Sequence, residues 1–205
     1  MLDLHKNIRN SVIKSQHCQR NWDLSKEIPE QDMDLMLHAV TQCPSKQNCA
    51  FYKVTVVQDR DIIEQIHENT YGFRLLDTNE IITNSQVLAN SLFIFQEIPV
   101  TERVAHKNKL DEQSMQKIIS RDANIALGIA SGYLNLTATM LGYSTGCCQC
   151  FDSAPIQEIL NDDARVLLMM GVGYKNPDMN RRIHHADNTK QFYSIKKEPI
   201  EVKKL

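Results

Sequence analysis

Apolar residues fall three and four positions apart at Leu4, Ile8, Val12 and Ile13, which predicts an amphipathic helix over Leu4–Lys14 before the polar stretch 15–23. A second helix opens at Pro29-Glu30-Gln31-Asp32. Proline's fixed φ suits a first turn, and the acids complement the positive end of the helix dipole. Met33, Met36, Leu37 and Val40 then form its inward face, and Pro44-Ser45-Lys46-Gln47-Asn48 follows as a loop. Tyr52–Val57 is alternating and β-branched, so it predicts a strand, and Asp59–Glu68 predicts a helix on Ile62, Ile63 and Ile66. A second strand is expected at Leu92–Phe95, bounded by Pro99.

From about Ser114 to Leu141 the pattern predicts one long helix whose apolar residues cover more than one face, as in a central helix buried nearly all round. Gly128 and Gly132 would each cost about 1 kcal/mol relative to Ala in an exposed helix. Close approach of another helix compensates that cost, and the helix can come from a second subunit or from the protein's own second layer. Strands are expected at Tyr143–Gln149 and Val166–Gly171, with a short helix at Pro155–Leu160 between them. Clustered helices and few strands give an α+β fold, in one domain over residues 1–205.

A hydrophobic fraction of 42% and a charged fraction of 23% are those of an ordinary globular chain. The net charge of −2 argues against a protein built around nucleic-acid phosphate. Met1–Arg9 is too polar for a signal peptide, and no apolar run reaches the roughly 20 residues of a membrane span. A cytoplasmic protein is therefore expected, with Cys18, Cys43, Cys49, Cys147, Cys148 and Cys150 as free thiols.

Cys147-Cys148-Gln149-Cys150 invites a metal or redox reading. Zinc normally takes two ligand pairs, and a second pair at standard spacing is missing; His184-His185 would point to opposite sides of an extended chain. A thioredoxin-like pair sits at a helix N-terminus, whereas this one ends a strand. The remaining option is Cys as a small buried hydrophobe. The nucleophile elbow, the phosphate loop and the dinucleotide glycine fingerprint are all absent.

Four polar segments remain: Gln16-His17-Cys18-Gln19-Arg20-Asn21-Trp22, Cys43-Pro44-Ser45-Lys46-Gln47-Asn48, the cysteine strand, and Asn180-Arg181-Arg182. Arginine forks suit a phosphate, while backbone amides with Ser, Asn and Gln suit the edge of a planar ring. The order of these segments resembles the FMN-dependent nitroreductase family. The first matches that family's N-terminal flavin-binding segment, and Pro44-Ser45-Lys46-Gln47-Asn48 matches its Pro-Ser-x-x-Asn loop. Ala138-Thr139-Met140-Leu141-Gly142-Tyr143 matches the end of its central helix. Cys150-Phe151-Asp152, Gly173-Tyr174 and Arg181-Arg182 match its later strand ends and basic pair.

The resemblance spans roughly residues 3–195 and implies a mostly antiparallel sheet flanked by helices, with a long central helix. It implies FMN, NADH or NADPH as co-substrate, a small electron acceptor such as a nitroaromatic, a quinone or another flavin, and a homodimer with the flavin at its interface. The implied flavin-binding residues are Gln16, His17, Cys18, Arg20, Pro44, Ser45, Lys46, Asn48, Asn84, Gln86, Cys147, Cys148, Gln149, Cys150, Arg181 and Arg182. N–H groups around Cys148 and Gln149 would meet the ring, and no side-chain nucleophile or base is required. Gln16 stands for the family's usual first arginine and Cys18 for its serine, which leaves Arg20, Arg181, Arg182 and His17 to supply positive charge. The segment Pro99–Gln113 is short and polar, so the lid of larger family members is expected to be minimal or absent. Dehalogenase or flavin-fragmenting chemistry on the same fold, and a non-enzymatic thiol or metal module, are the alternatives.

Overall fold

The structure is a computed structural model that describes residues 2–98, 111–193 and 195–204. Its elements run α1 (Leu2–Lys14), α2 (Glu30–Thr41), β1 (Tyr52–Val57), α3 (Arg60–Glu68), β2 (Phe73–Arg74), β3 (Ile81–Ile82), β4 (Ser91–Glu97), α4 (Glu112–Met140), β5 (Ser144–Cys148), α5 (Ser153–Leu160) and β6 (Val166–Gly173). Two short 3-10 turns, Lys46–Asn48 and Ser85–Val87, complete them. The main sheet has the order β1-β4-β6-β5 with antiparallel neighbours throughout, and helices cover both faces. This is the expected α+β architecture.

Strand alternation builds two cores. Phe93, Phe95, Met170 and Val172 face α2 and α4, meeting Met36, Val40, Ala130 and Leu134. Leu92, Ile94 and Met169 face the other way, onto Ile63 and Ile66 of α3 and Ile156 of α5. The same alternation separates the cysteines: Cys147 packs on the first core and Cys148 is buried in the second.

α4 begins where Asp111 accepts a hydrogen bond from the Ser114 N–H at 2.9 Å, an N-cap that satisfies one orphan donor. It ends at Gly142, whose φ of +99° is open to glycine. There the Tyr143 N–H bonds the Ala138 carbonyl at 2.9 Å and the Gly142 N–H bonds Thr139 at 3.2 Å. The two bonds make a Schellman motif, so Tyr143 belongs to the helix cap and β5 starts one residue later than expected. Its buried ring is fixed by a 2.5 Å hydrogen bond from the hydroxyl to the Asp32 carboxylate.

Two helices differ from expectation. α4 buries Ala126, Ala130, Leu134 and Ala138, but Ile125 and Met140 are exposed, and among the described residues a Cβ added at Gly128 or Gly132 meets nothing within 4 Å. Among the described residues, therefore, the glycine pair packs against no second layer of the protein's own. On α1, Leu4, Ile8, Val12 and Ile13 are all exposed; the helix is held to α4 by polar contacts of Ser11 and Ser15 with Thr139 and Asn135. The β2–β3 hairpin, with Asn79 at φ 59° in its turn, was not expected; Ile82 and Leu75 pack there on Phe192. Of the expected lid, 99–110 lie outside the described residues, and Asp111–Gln113 form the cap and first turn of α4.

Candidate functional site

β5 is an outer strand, with β6 on one side and an edge on the other. Along that edge the early polar segment returns: the Gln19 N–H donates to the Thr145 carbonyl at 2.7 Å. Successive residues of an antiparallel strand turn their backbone groups to opposite edges. With Thr145 facing outward, Cys147 also faces outward, while Gly146 and Cys148 face β6. The Cys148 N–H expected at a bound ring is thus directed into the β6 ladder, and Cys147 offers the outward one.

A glycine pad lets a second segment approach. Gly146 and Gly171 are cross-strand partners, and the Gln86 carbonyl oxygen would lie 3.0 and 2.2 Å from a Cβ at these two positions. Any side chain at Gly171 would collide with main chain. Seated on this pad, the Ser85–Val87 turn is stitched to the early segment. The Trp22 indole donates to the Ser85 carbonyl at 2.9 Å, and the Ser85 hydroxyl donates to the Arg20 carbonyl at 2.5 Å. Asn21 reaches across the chain to donate to the carbonyls of Asn180 (2.7 Å) and Ile183 (2.9 Å). Thus residues 16–22, 84–86, 145–147 and 180–183 meet at one place.

The convergence is cationic. Arg181 Nη2 lies 3.4 Å from His17 Nδ1, and the Arg20 guanidinium stacks 4.3 Å above the Phe192 ring. Arg20 Nε is buried with no hydrogen-bond partner among the described residues. Burial lowers the Arg20 pKa, as does Arg181, while the Cys18 thiolate opposes them. The Cys18 thiol falls to about 6, because the Cys147 thiol outweighs burial with help from the Cys147 N–H, Arg20 and Arg181. Cys147 is pushed upward, first by Cys18 and then by burial, and burial pushes Cys148 up to about 11.

A cavity of about 180 Å³ adjoins Arg20, lined also by Asn21, Trp22, Ser85, Asn176 and His185. His185 is pushed down to about 4 by burial and by its neighbours His184 and His67. The rings of His184 and His185 lie 4.6 Å apart instead of on opposite sides of the chain, and His184 Nε2 lies 3.0 Å from Thr83 Oγ1.

Several expected residues lie elsewhere or are otherwise engaged. Arg182 differs from Arg181 in that its Nε donates to the Phe192 carbonyl at 3.2 Å, so the two members of the basic pair have different partners. Asn84 and Gln86 bond each other, side chain to side chain at 2.6 Å, and brace the turn. Gln16 is exposed, as are Gln149 and Cys150, which lie just past the end of β5. Pro44, Ser45, Lys46 and Asn48 lead into β1, the opposite outer strand, roughly 14 Å from β5 across three strand spacings.

That loop is tied to α4. Lys46 Nζ sits 2.7 Å from the buried Asp122 carboxylate, which Arg121 also contacts at 3.1 Å. Burial raises the Asp122 pKa, but Lys46 and Arg121 together outweigh it and hold it below the usual carboxylate range. Phe192 and Asn21 were not among the expected site residues; Phe192 carries no motif, Asn21 lies within the early polar segment, and each acts on a partner more than 150 residues away.

Solved structures share this fold. An FMN-dependent nitroreductase from Clostridium difficile R20291 aligns at 17% identity over 80% of this chain and 86% of its own, with a TM-score of 0.56. A BluB-like flavoprotein from Clostridium difficile 630 aligns at 16% identity over 94% of each chain, with a TM-score of 0.67. A nitroreductase family protein from Streptococcus pneumoniae TIGR4 aligns at 20% identity over 82% of this chain and 90% of its own, with a TM-score of 0.60. No functionally curated protein matches the sequence. The nitroreductase family profile matches residues 13–174, well over half of the sequence, and the chain belongs to the nitroreductase family.

Proposed function

We propose that this protein is an FMN-dependent oxidoreductase that takes electrons from NADH or NADPH and passes them to a small electron-poor acceptor such as a nitroaromatic, a quinone or another flavin. The observation that carries the reading is the meeting of Arg20, Arg181 and His17 beside the outer edge of β5. A phosphate-bearing planar group fits that chemistry. Arg181 and His17 would hold the phosphate. Arg20, whose buried Nε has no acceptor among the described residues, would face the ring edge and supply fixed positive charge there. FMN, when bound there, supplies reversible two-electron hydride transfer.

The protein's own part is to hold each substrate in turn over one ring face. A homodimer suits the remaining residues. The open face of α4 carries Ile125, Gly128, Gly132 and Tyr133, and among the described residues nothing obstructs it at its glycines. The Ser45–Asn48 loop, fastened to the same helix through Lys46 and Asp122, would then reach the partner's site. The test is a visible spectrum of protein mixed with FMN, before and after anaerobic NADPH or NADH. A bound flavin that bleaches supports the reading. Failure to bind FMN overturns it, and a flavin that binds but never bleaches overturns the nicotinamide half.

A further inference from the structure

We propose that Cys18 and Cys147 form a redox-active dithiol in which Cys18 reduces a hydroperoxide and Cys147 closes an intramolecular disulfide. The backbone places the two together. The Gln19 N–H to Thr145 bond, at 2.7 Å, fastens the early segment to β5, and Gly146 lets the Gln19 carbonyl come within 2.7 Å of where a Cβ would stand. Cys18 directly precedes this close approach and Cys147 directly follows it. Strand alternation turns the Cys147 N–H outward, toward the early segment. Neither residue is fully buried. Cys148, by contrast, is buried in the core beneath α3 and α5, and Cys150 lies exposed past the strand end. The pairing is therefore Cys18 with Cys147 and not the adjacent or near-adjacent thiols of the cysteine run.

The surroundings divide the labour between the two sulfurs. The charged and titratable groups around Cys18 are Arg20 on its own segment, Arg181 from the late loop with His17 beside it, and Cys147 and Cys148 on β5. The positive groups favour a Cys18 thiolate, which is the form that attacks peroxide. Cys147 stays protonated chiefly because that thiolate is its neighbour. Once Cys18 is oxidised its negative charge is gone, and with it the largest influence that keeps the Cys147 thiol protonated, while burial still acts in the same direction.

The chemistry balances in two steps. The Cys18 thiolate attacks the outer oxygen of ROOH, the O–O bond breaks, and with one proton the products are Cys18 sulfenic acid and ROH. The Cys147 sulfur then attacks the Cys18 sulfur, the S–O bond breaks, and water leaves as the disulfide forms. Two thiols lose two electrons in all, ROOH gains them, and an external dithiol such as dithiothreitol restores the pair. None of these steps involves flavin.

The experiment uses the full chain without added FMN, treated with hydrogen peroxide, alkylated and mapped by peptide mass spectrometry. Two of the six thiols are expected to be lost first, in a cross-link of the Cys18 and Cys147 peptides that dithiothreitol reverses. Alkylation of Cys18 should be half-maximal at a pH of about 6. Cys147→Ser should leave Cys18 as a dimedone-reactive sulfenic acid. A Cys148–Cys150 cross-link in its place, or oxidation of all thiols at the rates seen in urea, would overturn the proposal. The cross-link map is read on the unmodified protein, so a variant that fails to fold does not obscure it. FMN binding is scored separately by absorbance, so either result can fail alone.

Discussion

Replacing Gly171 with Ala places a methyl group 2.2 Å from the Gln86 carbonyl oxygen and 2.9 Å from the Ala89 Cβ. Ordinary carbon–oxygen contact lies beyond about 3.2 Å, so the Ser85–Val87 turn must move by roughly 1 Å or β6 must bend. Neither is easy. The turn is pinned by Trp22 and by the Ser85 bond to Arg20, and Gly171 lies in the centre of the sheet between β4 and β5. Overpacking of this kind costs about 1–3 kcal/mol. In a structure of this size that lowers the melting temperature by roughly 2–12 °C. Backbone propensity alone points the other way, since Gly to Ala in a strand interior gains about 0.5–1 kcal/mol. Thermal unfolding followed by circular dichroism separates the two. A Gly171→Ala protein that melts at or above the unmodified temperature refutes the glycine-pad account of how the turn reaches the site.

Three further outcomes are expected. Gly128→Leu should leave the folded subunit intact, because among the described residues nothing lies within 4 Å of that Cβ, yet shift the proposed dimer to monomer in sedimentation; an unchanged dimer removes α4 from the interface. Lys46→Met should destabilise the protein by about 1–3 kcal/mol in urea titrations, because the buried Asp122 loses its 2.7 Å partner. The Asp122 carboxyl is held below its unfolded value, so its contribution is fully present above a pH of about 4 and is lost as pH falls through the lower folded value. Asp122→Asn should therefore flatten that part of the acid limb, and an unaltered limb would show that the pair contributes nothing.

Local pattern carried the fold a long way. Tyr52–Val57 is a strand at the bounds its β-branched alternation predicted, and the long helix ends where Leu141-Gly142-Tyr143 supplies a cap glycine. These are decided by neighbours in sequence. The misreadings share a different cause. Ile125, Met140 and the four apolar residues of α1 are exposed in the single subunit, because an apolar residue does not say whether its own chain or a second one covers it. Arg181 and Arg182 look alike in sequence, and only the Phe192 carbonyl, brought in by the late segment, separates them. The Gly146–Gly171 pad and the Cys18–Cys147 approach depend on strand register across the sheet, which no local window contains.

The proposed binding of FMN at the β5 edge through Arg181, and not through Arg182, is tested by FMN titration, following flavin fluorescence, of the unmodified protein, Arg181→Ala and Arg182→Ala. Loss of a charge-assisted phosphate contact worth about 1.5–3 kcal/mol weakens binding roughly tenfold to a hundredfold or somewhat more. The account predicts that loss for Arg181→Ala and a Kd within about threefold of the unmodified protein for Arg182→Ala, whose side chain is engaged with the Phe192 carbonyl. Equal affinities for all three proteins, or a larger loss at Arg182, would contradict it.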